Sequence, residues 1–427
     1  MSYREVASKQ VLTWAFVAVA ARMPVAMAPL ALVFLVRERP GGYTLGAALA
    51  AVYVLGEIIG APVLGLRLNA RRARPHLAVG LAGGAVGFAG LGALPGAHPV
   101  ILGVFAFLAG AAPAAVSGGL RALLTSLVPG HAAEQALSVE SMLTSAIWAI
   151  APAAVTGLAL GVAPGVPPLL AAALMGVSVA GLWLLPEGWQ SEERTGRTSQ
   201  LRAVASAWPV YVTGAAGLSL LALAELVLPA LLEQRGIGVG WSGPLLLGMS
   251  AAAGVGAFLY GLRSWPGRLP TRSVLLLCGM STAVVLVALT PDLAGIGAGL
   301  AVAGLLQSGA MLTRNLSLRE ALPPSALAAG YSVMYAAVSA GYAATGSLAG
   351  ALLRLTDPSA AILAGVGLTL ALTGVGWWGE IRRARRPGAA VSAVAAGSRA
   401  AGAARVGDGG PPARAKPRVG EAPRKRG

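Results

Sequence analysis

The chain has 427 residues, of which 56% are hydrophobic and 11% are charged, and its formal net charge is +16. A soluble domain usually carries about 25% charged residues, so the composition excludes an ordinary soluble protein and indicates a membrane protein. The 59 glycines and 28 prolines agree with this class, because both residues are more frequent in transmembrane helices than in soluble ones. The single cysteine, Cys278, excludes a disulfide within one chain.

Apolar runs long enough to cross a bilayer recur along the chain. A transmembrane helix needs about 20 apolar residues. The first run, 11–36, is longer than the roughly 7–15 residues of a signal-peptide core, so it predicts a retained first span. The sequence predicts an all-α membrane protein with twelve spans, at 11–36, 45–66, 76–95, 99–120, 135–160, 167–185, 208–232, 241–262, 273–290, 294–313, 329–353 and 359–378.

Basic residues lie mainly on one side of these spans. With the N-terminus inside, fifteen Arg and Lys residues fall in the N-terminal segment and the inner loops, and four fall in the outer loops. Cytoplasmic loops of membrane proteins carry this excess of Lys and Arg. We therefore predict a multi-pass protein of the cell (plasma or inner) membrane with both termini in the cytoplasm, and the positive charge needs no nucleic-acid partner.

The sequence also matches itself when it is shifted by 194 residues. Two of the matches pair tryptophan with tryptophan. Such matches are rarely produced by chance, because the chain has only nine tryptophans. The match predicts two parallel, pseudo-symmetric six-helix bundles, an architecture found in transporters. The aligned pairs include Trp14 and Trp208, Trp183 and Trp377, Gly42 and Gly236, Gly110 and Gly304, and Pro129 and Pro323.

Four segments follow from this repeat. We predict an N-terminal six-helix bundle at 1–185, a central cytoplasmic linker at 186–207 and a C-terminal six-helix bundle at 208–379. The remainder, 380–427, is rich in Gly, Ala, Pro and Arg and has no core-forming pattern, so we predict a disordered tail. Its basic residues favour contact with anionic lipids of the inner leaflet over nucleic acid.

The loop after the second span reads "GLRLNARRAR". It is similar to the pattern G-x-x-x-D-R-x-G-R-[RK], with Asn69 in place of the Asp and with basic residues kept at Arg71 and Arg72. After the fourth span, Arg121 stands at the matching place of a second Arg-containing turn. Together with the span count and the repeat, these motifs resemble the major facilitator superfamily over roughly residues 10–380.

The fifth span carries a partial match to that family's antiporter motif, which centres on Gly-Pro. Here the stretch reads "AIAPAAVTG", in which Pro152 and Gly157 match and Ala151 replaces the glycine. The resemblance implies a transporter that works by alternating access between its two bundles.

Several chemistries are excluded by missing residues. No lysine follows a G-x-x-x-x-G-K-[ST] pattern, so the chain has no P-loop of its own. The three aspartates lie in loops or the tail, and the three histidines are scattered, which excludes a paired-Asp magnesium site and an H-E-x-x-H zinc site. We predict no enzyme activity, no metal and no cofactor.

Charged residues inside the spans carry the functional argument. Each costs roughly 2.5–3.5 kcal/mol at mid-helix on insertion scales, so each requires a reason. Arg22 in the first span and Glu57 in the second lie at similar depth, which predicts that they contact each other or share a central cavity. The alternative is a static buried ion pair that holds two helices together.

Prolines accompany these charges. Pro24 and Pro29 follow Arg22 in the first span and Pro152 lies in the fifth, and each predicts a helix kink beside the cavity, where backbone carbonyls become free. A simple packing kink is the alternative.

Glu225 lies in the seventh span, the repeat counterpart of the first, and a carboxylate in an apolar wall suits reversible proton binding. The alternative is a solvated position in an outer vestibule. Glu140 at the inner end of the fifth span and Arg121 predict a cytoplasmic gate, together with Arg71 and Arg72, and a surface pair of small energetic value is the alternative. Further candidates for the cavity wall, although ordinary packing is more common for such residues, are Trp148, Gln307, Tyr335 and Tyr342.

The leading interpretation is a secondary active transporter, specifically a proton-coupled exporter of a small, partly apolar compound. A proton- or ion-coupled uptake permease for a small metabolite is one alternative. A non-transporting membrane receptor or scaffold is another, although it has little reason to keep charges in its spans. The expected partners are a small-molecule substrate, a proton or other coupling ion and membrane lipids, with the chain as a monomer.

Overall fold

The computed structural model describes residues 6–68, 72–187, 197–263 and 265–384. These ranges contain fourteen α-helices and no β-strand, so the predicted all-α class is confirmed. The helices of the first half are α1 (Lys9–Val36), α2 (Gly42–Gly65), α3 (Ala73–Ala93), α4 (Pro99–Ala111), α5 (Val116–Ser126), α6 (Ala133–Gly161) and α7 (Val166–Leu182).

A short helix, α8 (Arg197–Ser206), lies in the segment predicted as the linker, whose residues 188–196 are outside the described ranges. The helices of the second half are α9 (Trp208–Gln234), α10 (Ser242–Leu262), α11 (Leu269–Leu289), α12 (Leu293–Ala321), α13 (Leu327–Leu352) and α14 (Pro358–Ala384). Because α14 runs to Ala384, it continues past the predicted start of the tail at residue 380, and the tail's residues 385–427 lie outside the described ranges.

Within the described ranges, ten segments are helices long and apolar enough to cross a membrane, so the chain is a multi-pass membrane protein. One of them, Pro99–Ser126, contains both α4 and α5. It is interrupted at Pro113, which has no N–H for the helical ladder. The count differs from the predicted twelve because α7 has only 17 residues and α13, although free of charged residues, is rich in Gly, Ser and Tyr.

The 194-residue repeat corresponds to matching local structure in the two halves. Pro129 and Pro323 both have extended backbones and each precedes a short 3-10 helix. A Cβ added to Gly110 would lie 2.2 Å from the Tyr53 carbonyl oxygen, and one added to Gly304 would lie 2.2 Å from that of Met249. These two glycines therefore allow the same close helix crossing in each half, as the pseudo-symmetric prediction requires.

The register of the repeat slips by one residue in the first loop. Gly41 follows the first long helix of the first half, and Gly236 follows that of the second half. Both glycines have a positive φ, of 66° and 69° respectively. The sequence shift instead aligned Gly42 with Gly236. The left-handed backbone that glycine adopts readily is thus placed one residue earlier in the first half.

Each half packs its own helices together. In the first half, α1 packs against α2, α6 and α7, while α3 packs against α4 and α7. In the second half, α9 packs against α12 and α13, while α12 packs against α10 and α11. Contacts between the halves are made by α6 with α10 and by α13 with α2 and α5.

Polar contacts between the halves concentrate at one end, where α2, α5, α10 and α12 finish. We call it the Arg-rich end, since Arg67, Arg263, Arg272 and Arg319 lie there. Arg319 Nη1 donates to the Gly130 carbonyl at 3.2 Å, and Gln135 Nε2 donates to the Gly261 carbonyl at 3.2 Å. The Ser138 hydroxyl also donates to the Ala257 carbonyl. This end of the two halves is therefore closed.

The apolar cores follow the same division. Near the Arg-rich end, Leu137 of α6 shares a buried cluster with Ala257, Tyr260 and Leu312 of the second half. Toward the opposite end, clusters stay within one half, such as that of Met27, Ala31 and Val155 or that of Leu231, Val287 and Ile296. The halves are joined at one end and have separate cores at the other.

Candidate functional site

A buried carboxylate between two arginines forms the centre of the polar network. Arg22 Nη2 of α1 lies 2.5 Å from Glu140 Oε1 of α6. Arg121 Nε of α5 donates to both carboxylate oxygens of Glu140 at 2.8 Å. The Glu140 residue is only 2% exposed. Because a buried charge is costly unless it is paired, the two guanidinium groups account for a carboxylate at this position.

Arg22 makes further contacts inside the first half. Its Nη1 donates to the Thr144 hydroxyl and its Nη2 to the Ser117 carbonyl, both at 3.4 Å. Its guanidinium carbon lies 5.8 Å from the centre of the Trp14 ring, within the range of a cation–π contact. Arg22 is therefore held by α1, α6 and the start of α5.

Arg121 carries the network into the second half. Its Nη1 donates to Asn315 Oδ1 of α12 at 3.4 Å. Its guanidinium carbon lies 5.4 Å from the centre of the Tyr331 ring of α13. One arginine thus contacts Glu140 in its own half and two residues of the other half.

The predicted contact between Arg22 and Glu57, and with it the alternative of a static ion pair, is wrong, because Arg22 pairs with Glu140 instead. That the two residues share a central cavity remains a prediction. Side chains of an α-helix tilt toward its N-terminus. Since α1 begins at the Arg-rich end, the long Arg22 side chain extends toward that end and meets Glu140, which lies near the start of α6. Depth along a helix gives the position of the Cα atom but not the direction of the side chain.

Glu57 is bonded by hydroxyl groups. Tyr53, one turn earlier in α2, and Tyr335 of α13 both donate to Glu57 Oε1 at 3.0 Å. Glu57 is 6% exposed. Its second carboxylate oxygen, Oε2, accepts no hydrogen bond from the described residues and keeps some exposure. The Tyr335 bond joins the two halves at the level of this carboxylate.

Glu225 has a similar partner. The Tyr342 hydroxyl of α13 donates to Glu225 Oε2 of α9 at 3.0 Å. Tyr335 and Tyr342 are seven residues apart, which is two helical turns and about 10 Å along one face of α13. One face of α13 therefore presents hydroxyls to a carboxylate in each half, and Tyr335 and Tyr342, both predicted as wall candidates, are the residues that carry them.

The predicted proline sites lie within continuous helices. Helix α1 runs through Pro24, which is buried, and Pro29, which is half-buried. Helix α6 runs through Pro152, which is exposed, while its neighbour Ala151 packs against α1. The predicted kinks at these prolines remain predictions.

Other predicted residues stand apart from the network. Trp148 is 53% exposed, and Gln307 is half-buried with no hydrogen bond to a described residue. Arg72 is exposed at the start of α3 and has no ion pair within the described ranges, while Arg71 lies outside them. Arg72 makes no contact with Arg121 or Glu140, whose described partners are each other, Arg22, Asn315 and Tyr331.

Four polar residues of the network were missed from the sequence: Tyr53, Thr144, Asn315 and Tyr331. The repeat offered a signal for Asn315, which aligns with Arg121 at the 194-residue shift. Helical spacing offered one for Tyr53, four residues before Glu57. A buried charge, Arg314, was also missed, because α12 extends eight residues past the predicted span. Its Nη1 donates to the Thr213 hydroxyl at 2.9 Å.

Comparisons with known proteins identify the fold. No protein-family model and no curated protein matches the chain. The crystal structure of the human organic anion transporter MFSD10 (TETRAN) superposes with a TM-score of 0.69 at 15% identity, over 86% of this chain and 99% of that one.

A second neighbour is the E. coli fucose:proton symporter FucP. The structure of a variant of FucP with a single substitution matches with a TM-score of 0.65 at 13% identity, over 87% of this chain and 98% of that one. FucP in the outward conformation, described as a major facilitator superfamily transporter, matches with a TM-score of 0.66 at 12% identity, over 88% and 99%. These likenesses confirm the predicted fold, and all three solved structures are of transporters, not enzymes.

Proposed function

We propose that this chain, which has the fold of the major facilitator superfamily, is a proton-coupled secondary transporter that exports a small, partly apolar molecule by alternating access. The two halves would rock against each other, opening and closing the Arg-rich end. We further propose that α7 and α13 also cross the membrane, that the Arg-rich end and both termini are cytoplasmic, that the chain works as a monomer, and that its basic C-terminal sequence contacts anionic lipids.

The observation that carries this proposal is the contact between Glu57 and Tyr335. Glu57 is a carboxylate inside a membrane-spanning helix with hydroxyl donors and no cationic partner among the described residues. A group of this kind can exchange a proton without breaking an ion pair. Since Tyr335 belongs to the other half, gain or loss of a proton at Glu57 acts directly on a contact between the halves.

Glu140 suits a different role in the same cycle. Glu140 pairs with two arginines, and loss of its charge would leave the buried Arg22 and the half-buried Arg121 without a counter-ion. Arg121 reaches Asn315 and Tyr331 in this structure, in which the Arg-rich end is closed. We assign Arg121 and Glu140 to the gate and Glu57 to proton coupling.

The test measures how membrane vesicles take up a panel of small, partly apolar compounds from the medium, with and without a pH gradient. Accumulation in inside-out vesicles that depends on the gradient supports proton-coupled export, and accumulation only in right-side-out vesicles indicates the uptake alternative. Glu57→Gln should abolish the dependence on the gradient, and Glu225→Gln should reduce it. Glu233→Gln is the matched control, since Glu233 is an exposed residue of the same helix as Glu225.

Two results would contradict the proposal. Gradient-independent flux by the wild-type protein would remove proton coupling. Absence of flux for every compound, in vesicles where the protein is inserted and folded, would favour the receptor or scaffold alternative.

A further inference from the structure

We infer that the transported molecule is an organic cation, bound between Glu57 and Glu225 along the tyrosine-bearing face of α13. This inference rests on the proposed transport function and names the substrate class of the same site. Four observations support it: the distribution of charge, the surrounding helices, the free carboxylate oxygens and the aromatic rings.

The charges at the level of the network leave two carboxylates without cations. Arg22 and Arg121 both pair with Glu140. Glu57 and Glu225 accept hydrogen bonds from tyrosine hydroxyls instead. A hydroxyl donor satisfies one oxygen but does not neutralise a carboxylate, so both sites favour a positive ligand or a proton.

The helices packed against α2, which carries Glu57, supply no free cation among the described residues. Helices α4 and α13 contain no charged residue, and α1 contains only Lys9 and Arg22. The Nη atoms of Arg22 donate to groups of the first half. The one arginine of α1 is therefore already engaged with other groups.

The same holds around Glu225. Helices α10 and α13 contain no charged residue. The described arginines of α11 and α12 lie toward the Arg-rich end, and Arg314 among them donates to the Thr213 hydroxyl and the Leu269 carbonyl. Glu225 is 17 residues into α9, about 25 Å from the start of that helix at the Arg-rich end.

Each carboxylate keeps an oxygen for a ligand. Glu57 Oε2 has no hydrogen bond from a described residue and reaches accessible space, although the residue as a whole is 6% exposed. Glu225 is half-buried, and its hydrogen bond from Tyr342 uses Oε2 alone, which leaves Oε1. These two oxygens are the atoms that would face a cationic group.

Aromatic rings define the character of the ligand. Tyr335 and Tyr342, both half-buried, lie beside the two carboxylates, and aromatic faces attract cations and apolar groups. The two-turn spacing on α13 separates the carboxylate contacts by about 10 Å. The arrangement fits a protonated or quaternary amine, or a phosphonium, with an apolar body that reaches from one carboxylate toward the other.

The test compares two probes that share a shape and differ in charge, tetraphenylphosphonium and tetraphenylborate. Binding to the purified full-length protein in detergent is measured by isothermal titration at neutral and acidic pH. We expect the phosphonium to bind, about tenfold or more weakly in Glu57→Gln and in Glu225→Gln, because each change removes a counter-charge from a low-dielectric site. We also expect weaker phosphonium binding at acidic pH, since the cation and the proton compete for Glu57.

Glu233→Gln is again the control and should bind the phosphonium as the wild type does. Equal or tighter binding of tetraphenylborate would overturn the inference, and so would phosphonium binding that both carboxylate substitutions leave unchanged. Thermal unfolding of each variant verifies that it is folded before binding is compared.

Failure here is distinguishable from failure of the proposed function. Proton-driven transport of a neutral or anionic compound, with no phosphonium binding, would contradict the substrate class and leave the transport proposal intact. Phosphonium binding without gradient-driven flux would contradict proton-coupled transport and leave the cation site intact.

Discussion

Arg121 and Asn315 occupy equivalent positions in the two halves, 194 residues apart, and Arg121 Nη1 donates to Asn315 Oδ1 at 3.4 Å. Equivalent positions of a two-fold repeat meet only where they lie close to the axis that relates the halves. The two residues therefore mark the pseudo-symmetry axis near the Arg-rich end. Asn315 is neutral, so it can accept a hydrogen bond from Arg121, whereas two arginines at this place would repel each other.

Replacement of Asn315 by alanine should loosen the Arg-rich end. The change removes one acceptor across the halves, worth about 1 kcal/mol for a typical hydrogen bond. The reporter is a thiol at Ser138, whose hydroxyl bonds across the halves to Ala257, introduced as Ser138→Cys with the exposed native cysteine removed by Cys278→Ser. Maleimide labelling of that thiol should become several-fold faster with Asn315→Ala.

The matched control for this experiment is Gln307→Ala, on the same helix but without a hydrogen bond to a described residue. If Asn315→Ala and Gln307→Ala label at the same rate, the Arg121–Asn315 contact does not hold the end closed.

Glu140→Gln should destabilise the folded protein strongly. The substitution leaves the buried Arg22 and the half-buried Arg121 without a carboxylate, and loss of one partner of a buried ion pair costs about 3–5 kcal/mol. The measurement is the thermal midpoint in detergent. Glu187→Gln is the control, because Glu187 pairs with Arg74 at 3.9 Å with its side chain 82% exposed, and exposed pairs contribute about 1 kcal/mol or less.

Addition of Arg22→Gln to Glu140→Gln should recover part of the lost stability, since one of the two unpaired cations is then absent. A midpoint for Glu140→Gln no lower than that for Glu187→Gln would show that the two arginines are accommodated by water, not by Glu140.

Gly110→Ala should destabilise the crossing of α2 and α4. The added Cβ would lie 2.2 Å from the Tyr53 carbonyl oxygen and 3.3 Å from the Glu57 nitrogen, so the backbones must separate. Overpacking of this kind costs typically about 1–3 kcal/mol. Gly103→Ala is the control within the same helix, because a Cβ there meets nothing within 4 Å. Equal thermal midpoints for the two variants would contradict the close crossing.

The sequence was sufficient to predict the class of fold and the repeat. Hydropathy located the long helices, and the shift of 194 residues aligned Pro129 with Pro323 and Gly110 with Gly304, whose local structures agree. These features are encoded by local composition and spacing, which a single sequence contains. The break at Pro113 and the helix at 197–206 were not predicted, because neither interrupts or extends an apolar run.

The pairing of charges required the packing of the helices. Depth along a helix was available from the sequence, but the side of the helix and the direction of the side chain were not. Arg22 was therefore assigned to Glu57, while its direction along α1 brings it to Glu140. Tyr335 and Tyr342 were candidates without partners, and only the placement of α13 between α2 and α9 gives each a carboxylate.

Tyr335→Phe should change the balance of conformations, whereas Tyr53→Phe should not. Both hydroxyls donate to Glu57 Oε1 at 3.0 Å, but Tyr53 belongs to the same helix as Glu57 and Tyr335 belongs to the other half. Loss of the Tyr335 hydroxyl removes a bond that exists only when the halves are together at this level, which favours separation by about 1 kcal/mol. Loss of the Tyr53 hydroxyl removes a bond that α2 keeps in either arrangement. The measurement is labelling of the Ser138→Cys thiol in the Cys278→Ser background, where Tyr335→Phe should raise the rate several-fold and Tyr53→Phe should leave it unchanged. Equal rates in the two variants would mean that Tyr335 serves only to solvate Glu57, and that the closed end is held by Arg121 and its partners alone.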